Sequence, residues 1–298
     1  MDSKKAERNL DHLLPCGWER VVDTWLQEDV PSFDYGGFVV GDKPTTAHLF
    51  QKASGVLAGI PILDKIFEKC NCQAEWLVKE GEYYEHTKGE RKLIARVTGP
   101  TNNVLQAERI ALNVLCRSSG VATVCHQLRQ VCDNAGWQGK VAGTRKTTPG
   151  FRIVEKYAMM VGGIDTHRHD LSSMIMLKDN HINAHGSITQ AVKEALSVGG
   201  FALKVEVECQ NEEEAREAIA AGAHIVMLDN FSGDAAKEVG ARLKKDHPGV
   251  IVEVSGGITI ENLAQYLGDG VDIVSTSSTS QSVPHIDFSL KILHLKQE

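Results

Sequence analysis

The chain has no apolar run approaching the roughly 20 residues that span a bilayer, which sets aside a membrane-crossing helix. It has no CxxC pair either. The closest two of its seven cysteines, Cys70 and Cys72, are separated by one residue, a poor spacing for structural zinc. An odd count without a framework reads as free, buried thiols in a reducing compartment. No HExxH pattern links His167, His169, His181, His185 and His224, which read individually as structural or hydrogen-bonding residues. Basic residues are outnumbered by acidic ones: the net charge of −7 argues against a generic nucleic-acid binder held by a phosphate backbone. The first eight residues lack the apolar core of a signal peptide and carry acids that transit peptides avoid. The last four are no lipidation or retention signal. The expectation is a soluble cytoplasmic protein, with the nucleus open to it, and neither nucleic acid nor membrane as partner.

What is present is ordinary globular material: 298 residues, 42% hydrophobic and 24% charged, with no repeat and no low-complexity tract. Up to about Gly99 the signals are mixed. A helix is expected around Trp18 to Gln27, ending before Pro31. Short strands are expected at Gly55 to Gly59, Cys72 to Lys79 and Arg91 to Thr98. Trp25 and Trp76 read as core. Asn102 to Arg117 has helical spacing of Val104, Leu105, Ala111, Leu112 and Leu115; Ser118-Ser119-Gly120 is expected to interrupt it before a second helix, Val121 to Cys132. From Gly139 the rhythm changes. Strands are expected at Lys140–Gly143, Met174–Leu177, Leu203–Val207, His224–Leu228, Val250–Val254 and Val271–Val274. Helices are expected near Ser187–Ser197, Glu212–Ala221, Ala235–Lys245 and Ile260–Leu267. Alternation of this kind implies parallel strands joined by crossovers.

The informative feature is the set of residues at the strand ends. The six ends carry Thr144-Arg145-Lys146, Lys178-Asp179-Asn180-His181, Glu206 with Glu208, Asp229-Asn230, Ser255-Gly256-Gly257 and Ser275-Thr276-Ser277. In parallel α/β folds these ends share one face, and that face holds the active site. Arg145, Lys146, Arg152, His167, Arg168, Lys178 and His181 form a local concentration of bases in an acidic chain. Arginine suits planar carboxylates and phosphates through its forked donors, and lysine adds a compact charge. Ser255-Gly256-Gly257, leading into a helix with Asn262, reads as a phosphate grip, with Thr276, Ser277 and Ser278 as its other half. Glu208 and Asp229 end neighbouring strands; they either hold Mg²⁺ or serve as salt-bridge partners of Lys178 or Lys204. Glu206 shares a strand face with Glu208.

Gly143 to Gly150 (GTRKTTPG), His167-Arg168, Lys178 to His181 (KDNH), Lys204 to Glu208, Leu228-Asp229-Asn230 and Ser255 to Ile258 resemble the quinolinate phosphoribosyltransferase family in order and spacing. Ala107 to Asn113 is similar to the family's helix, so the resemblance spans nearly the whole chain. It implies an α/β fold: an N-terminal α/β sandwich beside an incomplete α/β barrel of six or seven parallel strands. The corresponding divisions are 1–118, 119–285 and a terminal segment, 286–298, returning to the first domain. The implied reaction joins quinolinate to 5-phosphoribosyl 1-pyrophosphate, releasing pyrophosphate and CO₂ to give nicotinate mononucleotide for NAD synthesis, with Mg²⁺. By motif, Arg145, His167, Arg168 and Lys178 surround the quinolinate carboxylates, and Arg109 reaches in from a neighbouring subunit. Lys146 and Lys178 face the pyrophosphate. Glu208 and Asp229 hold the ribose hydroxyls or the Mg²⁺. Ser255, Gly256, Gly257, Thr276, Ser277 and Ser278 hold the 5-phosphate. The implied unit is a homodimer with shared sites, and eukaryotic members can form hexamers. Ser277 stands where many members have glycine, as in the serine-rich versions that resemble fungal members, and His169 where tyrosine is common. The rival readings are a nicotinate phosphoribosyltransferase, which the arginine-rich pocket opposes, and a catalytically silent scaffold for phosphorylated ligands, which Lys146, Lys178 and Glu208 oppose.

Overall fold

The structure, a computed structural model, describes residues 10–87 and 89–292. In chain order its elements begin with α1 (Arg20–Asp29), α2 (Tyr35–Val40), β1 (Pro44–Gln51), β2 (Gly55–Val56), α3 (Ile60–Lys69), β3 (Gln73–Trp76), β4 (Tyr83–Tyr84), β5 (Lys92–Pro100) and α4 (Thr101–Asn134). Next come β6 (Lys140–Ala142), α5 (Arg152–Val161), β7 (Ile175–Leu177), α6 (Asp179–His185), α7 (Ile188–Gly199), β8 (Val205–Cys209) and α8 (Glu212–Ala221). The chain continues with β9 (Ile225–Asp229), α9 (Gly233–Asp246), β10 (Ile251–Ser255), β11 (Ile273–Ser275) and β12 (Phe288–Ile292). Two compact units result. The first takes in the described residues through Val124, Thr148–Gly162 and those from Val283 onward; the second takes in Cys125–Thr147 and Gly163–Ser282. The return of Thr148–Gly162 to the first unit has no counterpart in the three-part division expected from sequence. Residues beyond Ile292 of the expected terminal segment lie outside the described residues.

The first unit is built on an antiparallel sheet of order β12-β1-β5-β3. From Ala47 onward β1 buries every second residue, Ala47, Leu49 and Gln51, as a strand with one face on a core must. Against that core α3 places Ile62, Leu63, Ile66 and Phe67. Each such side chain contributes about 1.5–3 kcal/mol when fully buried. Pro61 lies in the first turn of α3, where the missing N–H costs nothing. Trp25 and Trp76 pack against the same core, partly buried.

The expected break at Ser118-Ser119-Gly120 is absent, because α4 runs unbroken from Thr101 to Asn134. The small residues serve close packing instead. Ser119 Oγ accepts the Ala58 N–H at 3.1 Å, and Thr123 Oγ1 accepts the Val56 N–H at 2.9 Å. A Cβ on Gly120 would lie 2.3 Å from the Pro284 carbonyl oxygen. Tertiary packing here outweighs the weak helix propensity of Ser and Gly. A second correction concerns Ile260–Leu267, which forms only a short 3₁₀ turn, Leu263–Tyr266.

Glu80 ties the start of α3 to α5. Its carboxylate accepts from the N–H groups of Gly59 (2.5 Å) and Ile60 (2.9 Å) and from the Tyr157 hydroxyl. Burial, opposed by these hydrogen bonds, holds the Glu80 carboxyl above its ordinary value of 4.5. The unfolded chain therefore loses this proton first as pH rises. The associated stability is full below the ordinary value and is lost as pH climbs through the raised one. Glu80→Gln is expected to flatten that part of a melting-temperature profile, starting near pH 4.5; an unaltered slope would count against the assignment.

The second unit holds a six-stranded parallel sheet of order β6-β11-β10-β9-β8-β7. Read cyclically, the strands keep chain order, with β6 and β7 at the two ends: an incomplete α/β barrel. All five residues of β8 are buried, as in a strand covered on both faces. No helix among the described residues is long and apolar enough to cross a membrane.

Candidate active site

Parallel strands bring their C-terminal ends to one rim, and a cavity of about 760 Å³ lies there within the second unit. Its walls come from the turn after β6, from Lys178 after β7, from Glu208 on β8, and from Asp229 and Asn230 at the end of β9. Ser255, Gly256 and Gly257 on β10 and its turn, and Ser275 to Ser278 on β11 and its turn, complete the rim. Arg145, Lys146, His167, Arg168, Lys178, Glu208, Asp229, Ser255, Gly256, Gly257, Thr276, Ser277 and Ser278 all line this cavity. Arg109 is exposed on α4 in the first unit and is not among the lining residues.

Two guanidinium groups face the cavity at close quarters. Burial first, then the charge of Arg145, holds Arg168 below the ordinary arginine value. Arg168 Nη2 lies 3.2 Å from Met176 Sδ, while Arg145 Nε is buried without a partner. Like charges on one wall, with the Arg145 Nε donor unmet, leave a place for an anion. The turn that carries Arg145 and Lys146 is held by Thr144 Oγ1, which accepts the Lys146 N–H at 3.1 Å, and by Ser280 Oγ, which donates to the Lys146 carbonyl at 2.9 Å.

Lys178 Nζ lies 2.5 Å from Glu208 Oε2. Of the two roles open to Glu208 from sequence, the ion pair with Lys178 is therefore realised. Asp229 instead accepts amide donors, Asn230 Nδ2 at 2.7 Å and Gln210 Nε2 at 3.3 Å. His181 Nδ1 accepts the Lys178 N–H at 3.1 Å and so orients the lysine's backbone at the start of α6. Glu206, fully buried beneath the rim, has neither carboxylate oxygen hydrogen-bonded. Burial, then the neighbouring Glu253, pushes its carboxyl well above the ordinary range.

The glycine turn after β10 is a backbone cradle. Gly256 and Gly257 have φ of +105° and +61°, and a Cβ on Gly256 would lie 2.3 Å from Asn230 Oδ1. Asn262 pins the turn, accepting the Thr259 N–H at 2.8 Å and donating to the Gly257 carbonyl at 3.0 Å. The helix expected over Ile260–Leu267 is reduced to a 3₁₀ turn, so no α-helix terminus adds its partial charge; the backbone N–H groups of the turn carry the cradle. Thr276 also departs from expectation. Its buried hydroxyl donates to the Ile258 carbonyl at 2.5 Å and accepts the Ser278 N–H at 3.1 Å. It ties the two turns together and leaves the anion to their other donors. Ser277 is not among the non-glycine residues with positive φ, so nothing in its backbone requires glycine.

Sequence reasoning missed Glu253, which lines the cavity and holds His167. The signal was there: an acid two residues before Ser255, between Val252 and Val254, on a strand otherwise fit for burial.

Such a cavity suits a substrate bearing carboxylates together with a phosphorylated sugar, and an incomplete barrel built around that pair is a glycosyltransferase of the phosphoribosyl class. Residues 33–119 match the model of the quinolinate phosphoribosyl transferase N-terminal domain, and residues 121–291 that of its C-terminal domain. The chain is 50% identical over 285 residues to the carboxylating nicotinate-nucleotide pyrophosphorylase of Dictyostelium discoideum, covering 92% of this chain and 95% of that one. To the human protein of the same name it is 45% identical over 280 residues, covering 94% and 93%. The solved structure of nicotinate-nucleotide pyrophosphorylase from Francisella tularensis superposes with a TM-score of 0.83 at 32% identity, covering 92% of this chain and 95% of that one. The chain belongs to the quinolinate phosphoribosyltransferase family.

Proposed function

We propose that this cavity joins quinolinate to 5-phosphoribosyl 1-pyrophosphate, forming nicotinate mononucleotide, pyrophosphate and CO₂ for NAD synthesis. The observation that carries this reading is that Arg145 and Arg168 line the same cavity, with Arg145 Nε buried and unpartnered. Two forked cations at one point answer two carboxylates on adjacent ring carbons; nicotinate, with one, would leave a guanidinium unanswered. Lys178 completes the carboxylate wall beside the His167 ring, whose two nitrogens are engaged by Arg168 N–H and Glu253, and Lys146 and Lys178 face the departing pyrophosphate. Ser255, Gly256, Gly257, Ser277 and Ser278 take the 5-phosphate.

The residues fit Mg²⁺. Glu208 and Asp229 offer hard oxygen donors at the rim, and Asp229 is held only by neutral amides in its described hydrogen bonds. They would hold the ion that arrives with the sugar, and it would neutralise charge on the leaving pyrophosphate. The chain's own residues do the rest. They hold the quinolinate nitrogen in line with the anomeric carbon as the bond to pyrophosphate breaks and positive charge grows on the ribose. Glu208 and Asp229 lie where they can stabilise that charge. The new N–C bond makes the ring a pyridinium. That ring accepts the electron pair left when the adjacent carboxylate departs as CO₂, and a proton then takes its place.

The test is release of pyrophosphate and CO₂ from quinolinate, the phosphoribosyl donor and Mg²⁺, with nicotinate as the comparison. Equal release of both products with quinolinate alone is the expected result. Activity with nicotinate but not quinolinate would move the chain to the sister reaction, and silence with both would leave a binding scaffold.

The proposed unit is a homodimer with shared sites, which can assemble further into a hexamer, in a reducing cytoplasmic compartment. Phe33, Tyr35, Phe38 and Val39 support association: each is more than three-quarters exposed, an unusual concentration for a surface left bare. Arg109, exposed on α4, would reach the neighbour's cavity. Mixing inactive Arg109→Ala and Arg168→Ala proteins should then restore about a quarter of native sites, since half the dimers are mixed and each has one intact site. No recovery after verified subunit exchange would rule out sharing.

A further inference from the structure

We infer that Glu253 is a positioning residue for quinolinate recognition: it locks the His167 imidazole and, through the backbone turn at His167, aims Arg168 into the cavity. This deepens the proposed function and rests on it. His167 has φ of +57°, a left-handed conformation that costs a β-carbon-bearing residue on the order of 1 kcal/mol. Strain of this kind persists only where surrounding contacts over-determine it; here the His167 carbonyl accepts from Thr166 Oγ1 at 3.0 Å, and three further contacts bear on the ring and its N–H. The His167 N–H donates to Asp165 Oδ1 at 2.8 Å. Nδ1 of the ring accepts the Arg168 N–H at 2.7 Å. Nε2 lies 3.2 and 3.1 Å from the two oxygens of Glu253.

This pattern sets the tautomer. Nδ1 accepts, so Nε2 carries the proton and Glu253 receives it. Both ring nitrogens are then used within the protein, and the next residue in the chain is the arginine that shares the cavity wall with Arg145. Glu253 sits on β10, in register with Met227 of β9 and Ile273 of β11, and its side chain is almost fully buried. A rigid strand thus fixes the ring, the ring fixes the backbone N–H of Arg168, and the strained turn cannot relax to swing Arg168 away. Glu206, 3.9 Å from the same Nε2, is too far for a hydrogen bond and does not substitute for Glu253.

The experiment compares Glu253→Ala and Glu253→Gln with the unaltered protein. Glutamine keeps an oxygen able to accept from Nε2. Glu253→Ala should raise KM for quinolinate roughly 10- to 100-fold, the effect of a small misplacement of a binding group. KM for the phosphoribosyl donor should stay within about two-fold, because the cradle turns are untouched. Glu253→Gln should recover most of the loss. Nitrogen-detected NMR of the His167 ring, assigned with His167→Asn, should show the proton on Nε2 in the unaltered protein and in Glu253→Gln. A proton on Nδ1, equal increases in both KM values, or a glutamine variant as impaired as alanine would overturn the inference. Should Glu253→Ala fail to fold, the ring spectrum and the glutamine variant still decide. An unaltered protein inactive with quinolinate would overturn the functional reading instead, and the spectrum would still judge the lock by itself.

Discussion

Lys178→Ala is expected to lower kcat by roughly 10²- to 10³-fold, the range seen when one donor to developing negative charge is removed. Lys178 stands after β7 at the cavity, with Nζ 2.5 Å from Glu208, and is the proposed charge for both a quinolinate carboxylate and the leaving pyrophosphate. A structural loss must be separated from the catalytic one. Glu208 is only 9% exposed, and its ion-pair partner would be gone. Lys178 is about half exposed, so the destabilisation should fall below the roughly 3–5 kcal/mol of a fully buried pair. Adding Glu208→Gln to Lys178→Ala removes the orphaned charge. The double variant should regain melting temperature without regaining turnover. Single-turnover rates near normal in a folded Lys178→Ala protein would take Lys178 out of the catalytic set.

Arg168→Ala should weaken quinolinate binding by about 30-fold or more, in line with roughly 2–5 kcal/mol for truncating a desolvated, hydrogen-bonded charge. Binding of the phosphoribosyl donor should change little. The sign of the stability effect is informative. Arg168 is held below its ordinary value by burial and by Arg145, so the free protein tolerates a repulsion that the substrate's carboxylates relieve. Removing Arg168 should therefore leave the melting temperature of the free protein unchanged or raised, while abolishing the stabilisation that quinolinate confers. Lysine at this position should not rescue, because a point charge lacks the planar fork. Titration calorimetry that finds equal losses for both ligands would sink the assignment.

The rim of the barrel was readable because its strands are short β-branched runs that stop at polar residues. Alternation alone locates Lys178, Asp229 and Ser255, and the β8 to β11 boundaries differ from expectation by one or two residues. The first unit was harder. In β1, Thr45, Thr46 and His48 dilute the apolar alternation, and its partners β5 and β12 lie far along the chain, so pairing leaves no local trace. No element was expected over Ile60–Lys69, although proline is welcome in a helix's first turn. Ser118-Ser119-Gly120 misled because residues that weaken an isolated helix are those a neighbouring backbone needs for close approach. Arg145, Arg168 and the glycine turn announce their chemistry by residue type. Glu253 and Thr276 act on other protein groups, and such roles emerge only once the ring and turn they hold are seen.

The sheet of the first unit has a consequence for synthesis of the chain. Its order places β1 between β5, made early, and β12, made after every strand of the barrel. On the ribosome the nascent N-terminal region must wait through the whole second unit with one side of β1 unsatisfied, an open template for other chains. Only when β12 emerges can that edge close. The barrel can be complete while the older part of the molecule is still unfinished, so emergence of β12, rather than of the N-terminus, sets when the first unit can mature.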